Sequence, residues 1–311
     1  MKKLHISLVT AAACLLSTAV HAEDAKPKRH FKNNMIVVTN IKPKSVDNIS
    51  EMFGEGILYG RLRMNSFKWD WGNDDDDTLN KRGDNHAFGL GGSLRYKTAS
   101  FKGVSAMAGL YYTDSPFESL RMPADDIGSV KAGKDTFSRY DVKNSGSYSM
   151  AVLAEANIQY EYSKTKLIAG RQIFESFITR SNDTKMIPNT FEGAVLEIKD
   201  IPKTRIRGEF FTAQKLRDHT EFHDVITFKD GNGDSWGNND DSAVHKGLSY
   251  DNFKNAGADV NHQLIVVDVR NKSINGLKVD VTYASVPNVV ASITGELNYK
   301  IALPSGYSLT P

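Results

Sequence analysis

The stretch SMAVLAEANIQYEYSKTKLIAGRQ, residues 149–172, decides the fold. Val152, Ala154, Ala156, Ile158, Tyr160 and Tyr162 share one parity, while Glu155, Asn157, Gln159 and Glu161 share the other. Side chains of a strand alternate between its two faces, so the segment reads as a strand with one apolar and one polar side. The polar side is too hydrophilic for a sandwich core, and the apolar side is unsuited to water. A wall with hydrocarbon outside and an aqueous lumen inside satisfies both, which is how transmembrane β-barrel strands read.

The same alternation recurs on either side of this stretch. Leu58, Leu62 and Met64 oppose Tyr59, Arg61, Arg63 and Asn65; Phe88, Leu90, Leu94 and Tyr96 oppose Ser93, Arg95 and Lys97. A turn near Ala99 and Ser100 leads into Val104, Ala106, Ala108, Leu110 and Tyr112, predicting a hairpin. Downstream, Ala194, Leu196 and Ile198 alternate with Val195, Glu197 and Lys199, and Ile206, Gly208, Phe210 and Thr212 with Arg205, Arg207 and Glu209. Ile265, Val267 and Val269 oppose Asp268 and Arg270. Leu277, Val279, Val281 and Tyr283 oppose Lys278, Asp280 and Thr282, and Ile293, Leu297, Tyr299, Ile301 and Leu303 oppose Glu296, Asn298 and Lys300. Short turns at 163–164, 201–203 and 274–276 alternate with long polar connections at 68–87, 114–148, 173–190 and 215–261. Short turns on one side and long loops on the other are the layout of an outer-membrane barrel, whereas such loops are uncommon in a compact soluble domain.

The chain opens with the basic Lys2 and Lys3, an apolar run over 6–19 and the small or medium residues Val20, His21 and Ala22, the pattern of a cleavable secretory leader over residues 1–22. The apolar core is shorter than the roughly 20 residues that a spanning helix needs. Cys14 lacks the leucine three positions before it that lipid attachment favours. The chain carries 39 Lys+Arg against 37 Asp+Glu; without Lys2 and Lys3 the balance is 37 to 37, so no nucleic-acid partner is expected. Cys14 is the single cysteine and leaves with the leader, which excludes a disulfide framework.

Several segments, in order along the chain, resemble the OprD-type outer-membrane porins. They are EG at 55–56, GRLR at 60–63, LRYKT at 94–98 with FKG at 101–103, GRQ at 170–172 followed by NDTKMIPNTFEG at 182–193, and ALP at 302–304 with GYSLTP at 306–311. The likeness runs from about residue 50 to the last residue and looks nearest to members from campylobacter-like bacteria. It implies a passive channel of the bacterial outer membrane for small hydrophilic solutes, carboxylate-bearing ones such as amino acids or small peptides among them. The barrel would have about 16–18 strands, stand as a monomer or trimer in lipid and lipopolysaccharide, and need no cofactor. An inward-folded third loop would match residues 173–190, with Arg180, Asp183 and Lys185 in the constriction. A ladder of pore-lining basic residues would match Arg61, Arg63, Arg95, Arg205 and Arg207, with Arg171 added although residues 166–172 alternate poorly.

The expected fold is therefore all-β: a transmembrane antiparallel up-and-down barrel, incomplete, with about ten strands visible by Pro311 and no terminal strand ending in an aromatic residue. The expected division is a leader over 1–22, a periplasmic lead-in over 23–50 and a partial barrel over 51–311. Other chemical signals are weak. Asp74 to Asp77 read as a solvated acidic loop; Asp230, Asn232 and Asp234 imitate half a calcium loop, but Ser235 stands where glycine is needed and Asp241 where glutamate is needed. His219, Glu221 and His223 lack the spacing and the helix of a zinc protease, so no metal site is assigned. Two other classes remain open: an adhesin or receptor acting through the long loops, and a barrel enzyme, which would need a Ser and a His on one rim.

Overall fold

The computed structural model describes residues 43–70, 84–127, 133–183, 185–226, 250–302 and 308–309. The leader, Asp74 to Asp77 and Asp230 to Asp234 lie outside the described residues. The strands are β1 (Ser45–Val46), β2 (Ile57–Trp69), β3 (Asn85–Lys97), β4 (Ser100–Phe101), β5 (Val104–Asp114), β6 (Ser149–Tyr162), β7 (Thr165–Gln172), β8 (Thr190–Ile198), β9 (Thr204–Lys215), β10 (Leu264–Asn271), β11 (Leu277–Val286), β12 (Val290–Tyr299), β13 (Ile301–Ala302) and β14 (Ser308–Leu309). Short helices are α1 (Ile49–Gly54), α2 (Arg139–Ser145) and α3 (Tyr250–Asn255). No described helix is long and apolar enough to cross a membrane.

Ten long strands, β2, β3 and β5 to β12, pair antiparallel with their neighbours in sequence, the up-and-down order that the alternation predicts. Among the described residues β2 pairs only with β3 and β12 only with β11, so the sheet is open at two edges. One face is apolar and uncovered: Leu62 is 79% exposed, Ile293 75% and Leu297 69%, and Leu94, Ile158, Val267 and Val281 stand on the same side. In water such a surface would be unstable, since an ordinary monomer exposes apolar patches of only a few hundred Å²; in hydrocarbon it is the solvated side. Tyr96, Tyr160, Tyr162 and Tyr299 cluster on this face near the short turns, the interfacial level that aromatic girdles occupy.

Residues 149–172 depart from strict alternation at one point. Gly109 faces Glu155 but Leu110 faces Leu153, so Ala154 is an extra residue in β6, a bulge. The bulge inverts the parity of everything before it. Ala156, Ile158 and Tyr160 face outward as expected, but Val152 and Ala154 are buried with Met150 on the opposite side, and Leu153 faces out. A second bulge between Glu192 and Gly193 of β8 leaves Thr212 of β9 unpaired.

The chain crosses closely at Gly170, whose φ of 115° lies where side chains are strained and whose Cβ would collide with the Ala156 carbonyl oxygen. Gly170→Ala is expected to lower stability by about 1–3 kcal/mol, read as a lower urea midpoint in vesicles; an unchanged midpoint would show that β7 can shift to accept it. At the short-turn end, Ser163 Oγ and Thr165 Oγ1 donate to the Asp200 carboxylate at 2.5 and 2.6 Å, tying two adjacent hairpins together. Those bonds hold the Asp200 carboxyl below the usual carboxylate range.

Candidate pore constriction

The polar face of the sheet carries the described parts of the connections before β6 and β8, and their apolar residues explain why. Residues 173–183 and 185–189 cross this face. Met186 and Ile187 sink into a hollow formed by Tyr111, Met150, Val152 and Ala154, so the inversion at the bulge is what creates their apolar seat. Phe174 packs on Phe191 and Phe211 with ring centroids 6.4 and 5.1 Å away. Within the loop, Asn189 N donates to the Ser181 carbonyl at 2.7 Å and Ser181 Oγ to Glu175 Oε1 at 2.5 Å, which closes the segment on itself. The connection before β6 behaves likewise: Met122, Ile127, Phe137 and Val142 pack with Ala87 of β3. Thr113 Oγ1 donates to the Thr136 carbonyl at 3.1 Å, pinning that loop to β5.

Charge holds the two loops together. Arg61 on β2 donates through both terminal nitrogens to Asp183, at 2.7 and 2.8 Å, across 122 residues of sequence. The paired fork is the strongest geometry available to a guanidinium and a carboxylate. Lys185 reaches Asp135 at 3.2 Å and Arg217 reaches the same carboxylate at 2.7 Å, so Asp135 joins three loops. Arg180 is exposed, and its backbone carbonyl accepts from Asn189 Nδ2 at 3.0 Å.

The six arginines of the expected ladder are placed differently from one another. Arg61 is bound to Asp183. Arg95 is 1% exposed and held by Glu155 at 2.6 and 2.9 Å, with the Tyr111 hydroxyl donating to the same carboxylate at 2.9 Å. Arg207 pairs with Asp268, donates to the Glu175 carbonyl at 3.0 Å and stacks 4.7 Å from the Phe174 ring centroid. Arg171 stands opposite Ala156 and Glu192, which puts it on the outer face rather than in the lumen; it bonds Glu192 at 2.8 Å and lies 4.4 Å from the Phe222 ring centroid. Arg63 and Arg205 remain. Both are half-buried on the loop-bearing face, and neither forms a hydrogen bond or ion pair among the described residues. A cavity of about 370 Å³ lies between the loop and the wall, lined by Arg95, Lys97, Glu155, Gln159, Glu175 and Arg207.

The acidic partners Glu155, Asp183 and Asp268 were legible only as inward or loop carboxylates, because the sequence separations to their arginines are 60, 122 and 61 residues. The one available signal was shared parity: Asp268 and Arg207 are direct cross-strand neighbours. Asp135, the hub of three loops, carried no signal beyond Phe137 and Val142 nearby. His219 and His223 lie on no helix; Nδ1 of the first is 2.7 Å from Nε2 of the second. Among the described residues there is no group of three metal-ligating side chains.

Residues 126–285 match the family described as outer membrane porin, OprD family. Solved structures share the fold. OccAB2 of Acinetobacter baumannii aligns at 12% identity and a TM-score of 0.56, over 81% of this chain and 54% of that one. OccAB1 of the same organism aligns at 13% and 0.52, over 83% and 51%. OccD3 (OpdP) of Pseudomonas aeruginosa aligns at 14% and 0.51, over 87% and 50%. The chain thus spans about half the length of these proteins. A search of curated protein sequences found no match.

Proposed function

The chain belongs to the OprD family of outer membrane porins, and from that premise we propose that it forms the wall and constriction of a passive diffusion channel for small hydrophilic solutes, carboxylate-bearing ones in particular. The observation that carries the reading is that Arg63 on β2 and Arg205 on β9 stand on the polar face without a hydrogen-bond or ion-pair partner among the described residues, on the face across which a loop is tethered. The other three lumen arginines are neutralised by Asp183, Glu155 and Asp268 and act as struts. A solute carboxylate would be drawn to either of these arginines, because each guanidinium offers two parallel donors to it. No step requires a catalytic residue or cofactor. A closed wall needs partners for the β2 and β12 edges, since hydrocarbon offers none to backbone N–H and C=O groups. Export through a leader over residues 1–22 fits this destination.

The test is the reversal potential in a salt gradient across a planar bilayer. Arg63→Ala with Arg205→Ala is expected to shift selectivity toward cations, and Arg171→Ala, on the outer face, to leave it in place. The shift should shrink at high salt, where the screening length falls from about 8 Å at physiological ionic strength to about 3 Å at 1 M. Equal reversal potentials for the two variants would refute the assignment of Arg63 and Arg205.

A further inference from the structure

Helix α1 stands at the turn between β3 and β5. Asn48 caps it, its Oδ1 accepting from Glu51 N at 2.8 Å. Met52 turns inward to Val46, Ala99 and Phe101. Ala99 N donates to the Met52 carbonyl at 2.9 Å, and Ser100 N donates to the Lys44 carbonyl at 3.0 Å. The Tyr96 hydroxyl donates to the Phe53 carbonyl, and a Cβ at Gly56 would collide with the Tyr96 ring, so the chain leaving the helix lies tightly over that side chain. Tyr96 pairs with Leu58 and belongs to the apolar outer face. The helix is therefore fastened to the short-turn rim, with its Phe53 carbonyl held by the outward-facing Tyr96. Its remaining apolar side chains, Ile49 and Phe53, stand one turn apart and are 61% and 58% exposed.

We propose that α1 is an interfacial anchor whose Ile49 and Phe53 enter the phospholipid leaflet nearest the short turns. Continuity argues for lipid rather than protein as the occupant: the Phe53 carbonyl rests on the Tyr96 hydroxyl, Tyr96 pairs with the exposed Leu58 on the apolar face, and Ile49 and Phe53 are exposed beside them. Short amphipathic segments with aromatic and aliphatic residues on one side lie in the plane of the interface. The anchor rests on the outer-membrane reading, and it would fix the depth of the rim in the leaflet.

Single cysteines at 49, 51, 53, 62 and 164, introduced into full-length Cys14→Ser protein and spin-labelled, test it in vesicles of phosphatidylethanolamine and phosphatidylglycerol. Collision rates with oxygen and with a nickel chelate are compared. Labels at 49 and 53 are expected to give oxygen-to-nickel ratios several-fold above those at 51 and 164, at shallower depth than 62. Nickel access at 49 and 53 equal to that at 164, with 62 still lipidic, would place the helix in water and overturn the anchor alone. Access by neither reagent would mean a protein cover and would also overturn it. A water-exposed label at 62 would overturn the barrel reading and the anchor with it. Phe53→Trp, read against the parent by quenching from lipids brominated near the headgroup, repeats the measurement without a bulky label; absence of added quenching overturns the proposal.

Discussion

Asp183→Ala is expected to raise single-channel conductance and open-channel noise, because Asp183 is the far end of the tether that holds residues 173–189 across the lumen side. Its side chain is fully buried, and both oxygens are taken by Arg61. Removing one partner of a buried pair leaves the other charge uncompensated, at a cost of about 3–5 kcal/mol; Arg61 retains some exposure to the lumen, which places this case near the lower end. Met186 and Ile187 remain seated against Tyr111 and Met150, so the loop should swing about that seat rather than detach. Lys185→Ala is the comparison. Lys185 is one-third exposed and its buried partner Asp135 keeps Arg217 at 2.7 Å, so the loss should be no more than about 1 kcal/mol. Conductance traces of Asp183→Ala indistinguishable from the parent would show that the apolar seat alone sets the constriction.

Glu155→Ala should have the largest effect on stability. The carboxylate accepts two bonds from Arg95 and one from Tyr111, and both charged side chains are nearly inaccessible, at 1% and 4%. Its removal strands a buried guanidinium and a buried hydroxyl, a loss of about 3–5 kcal/mol. Arg171→Ala, at a half-exposed pair with Glu192, should cost no more than about 1 kcal/mol. Urea unfolding in vesicles, followed by the shift in gel mobility between folded and unfolded barrel, separates the two. Glu155→Gln should fall between them, since it keeps an acceptor and loses the charge. If Glu155→Ala unfolds at the same urea concentration as Arg171→Ala, water in the lumen solvates Arg95 and the pair is not a strut.

Strand number, order and facing were legible because alternation is a local property: Leu62 against Arg61, or Val281 against Asp280, needs no knowledge of distant residues. Legibility failed at Val152 and Ala154, where one extra residue in β6 inverted the faces, and a bulge leaves no mark in the pattern of apolar residues when both parities are apolar. It failed again at Arg171, which follows the close crossing at Gly170 in a strand of weak alternation.

The amino-acid sequence by itself determined that ten strands form an up-and-down sheet with a hydrocarbon side and a polar side, because each strand carries its own two-residue period and each turn its own length. Only the tertiary structure decided which charges are free. Whether an arginine guides a solute or braces a wall depends on whether a carboxylate 60 to 122 residues away arrives within about 3 Å. That meeting is set by cross-strand register, by a bulge that turns Met150 and Val152 inward, and by a loop that folds back over them. Arg63 and Arg205 are distinguished from Arg61, Arg95 and Arg207 by nothing in their local sequence, and by everything in the partners that the fold brings to them.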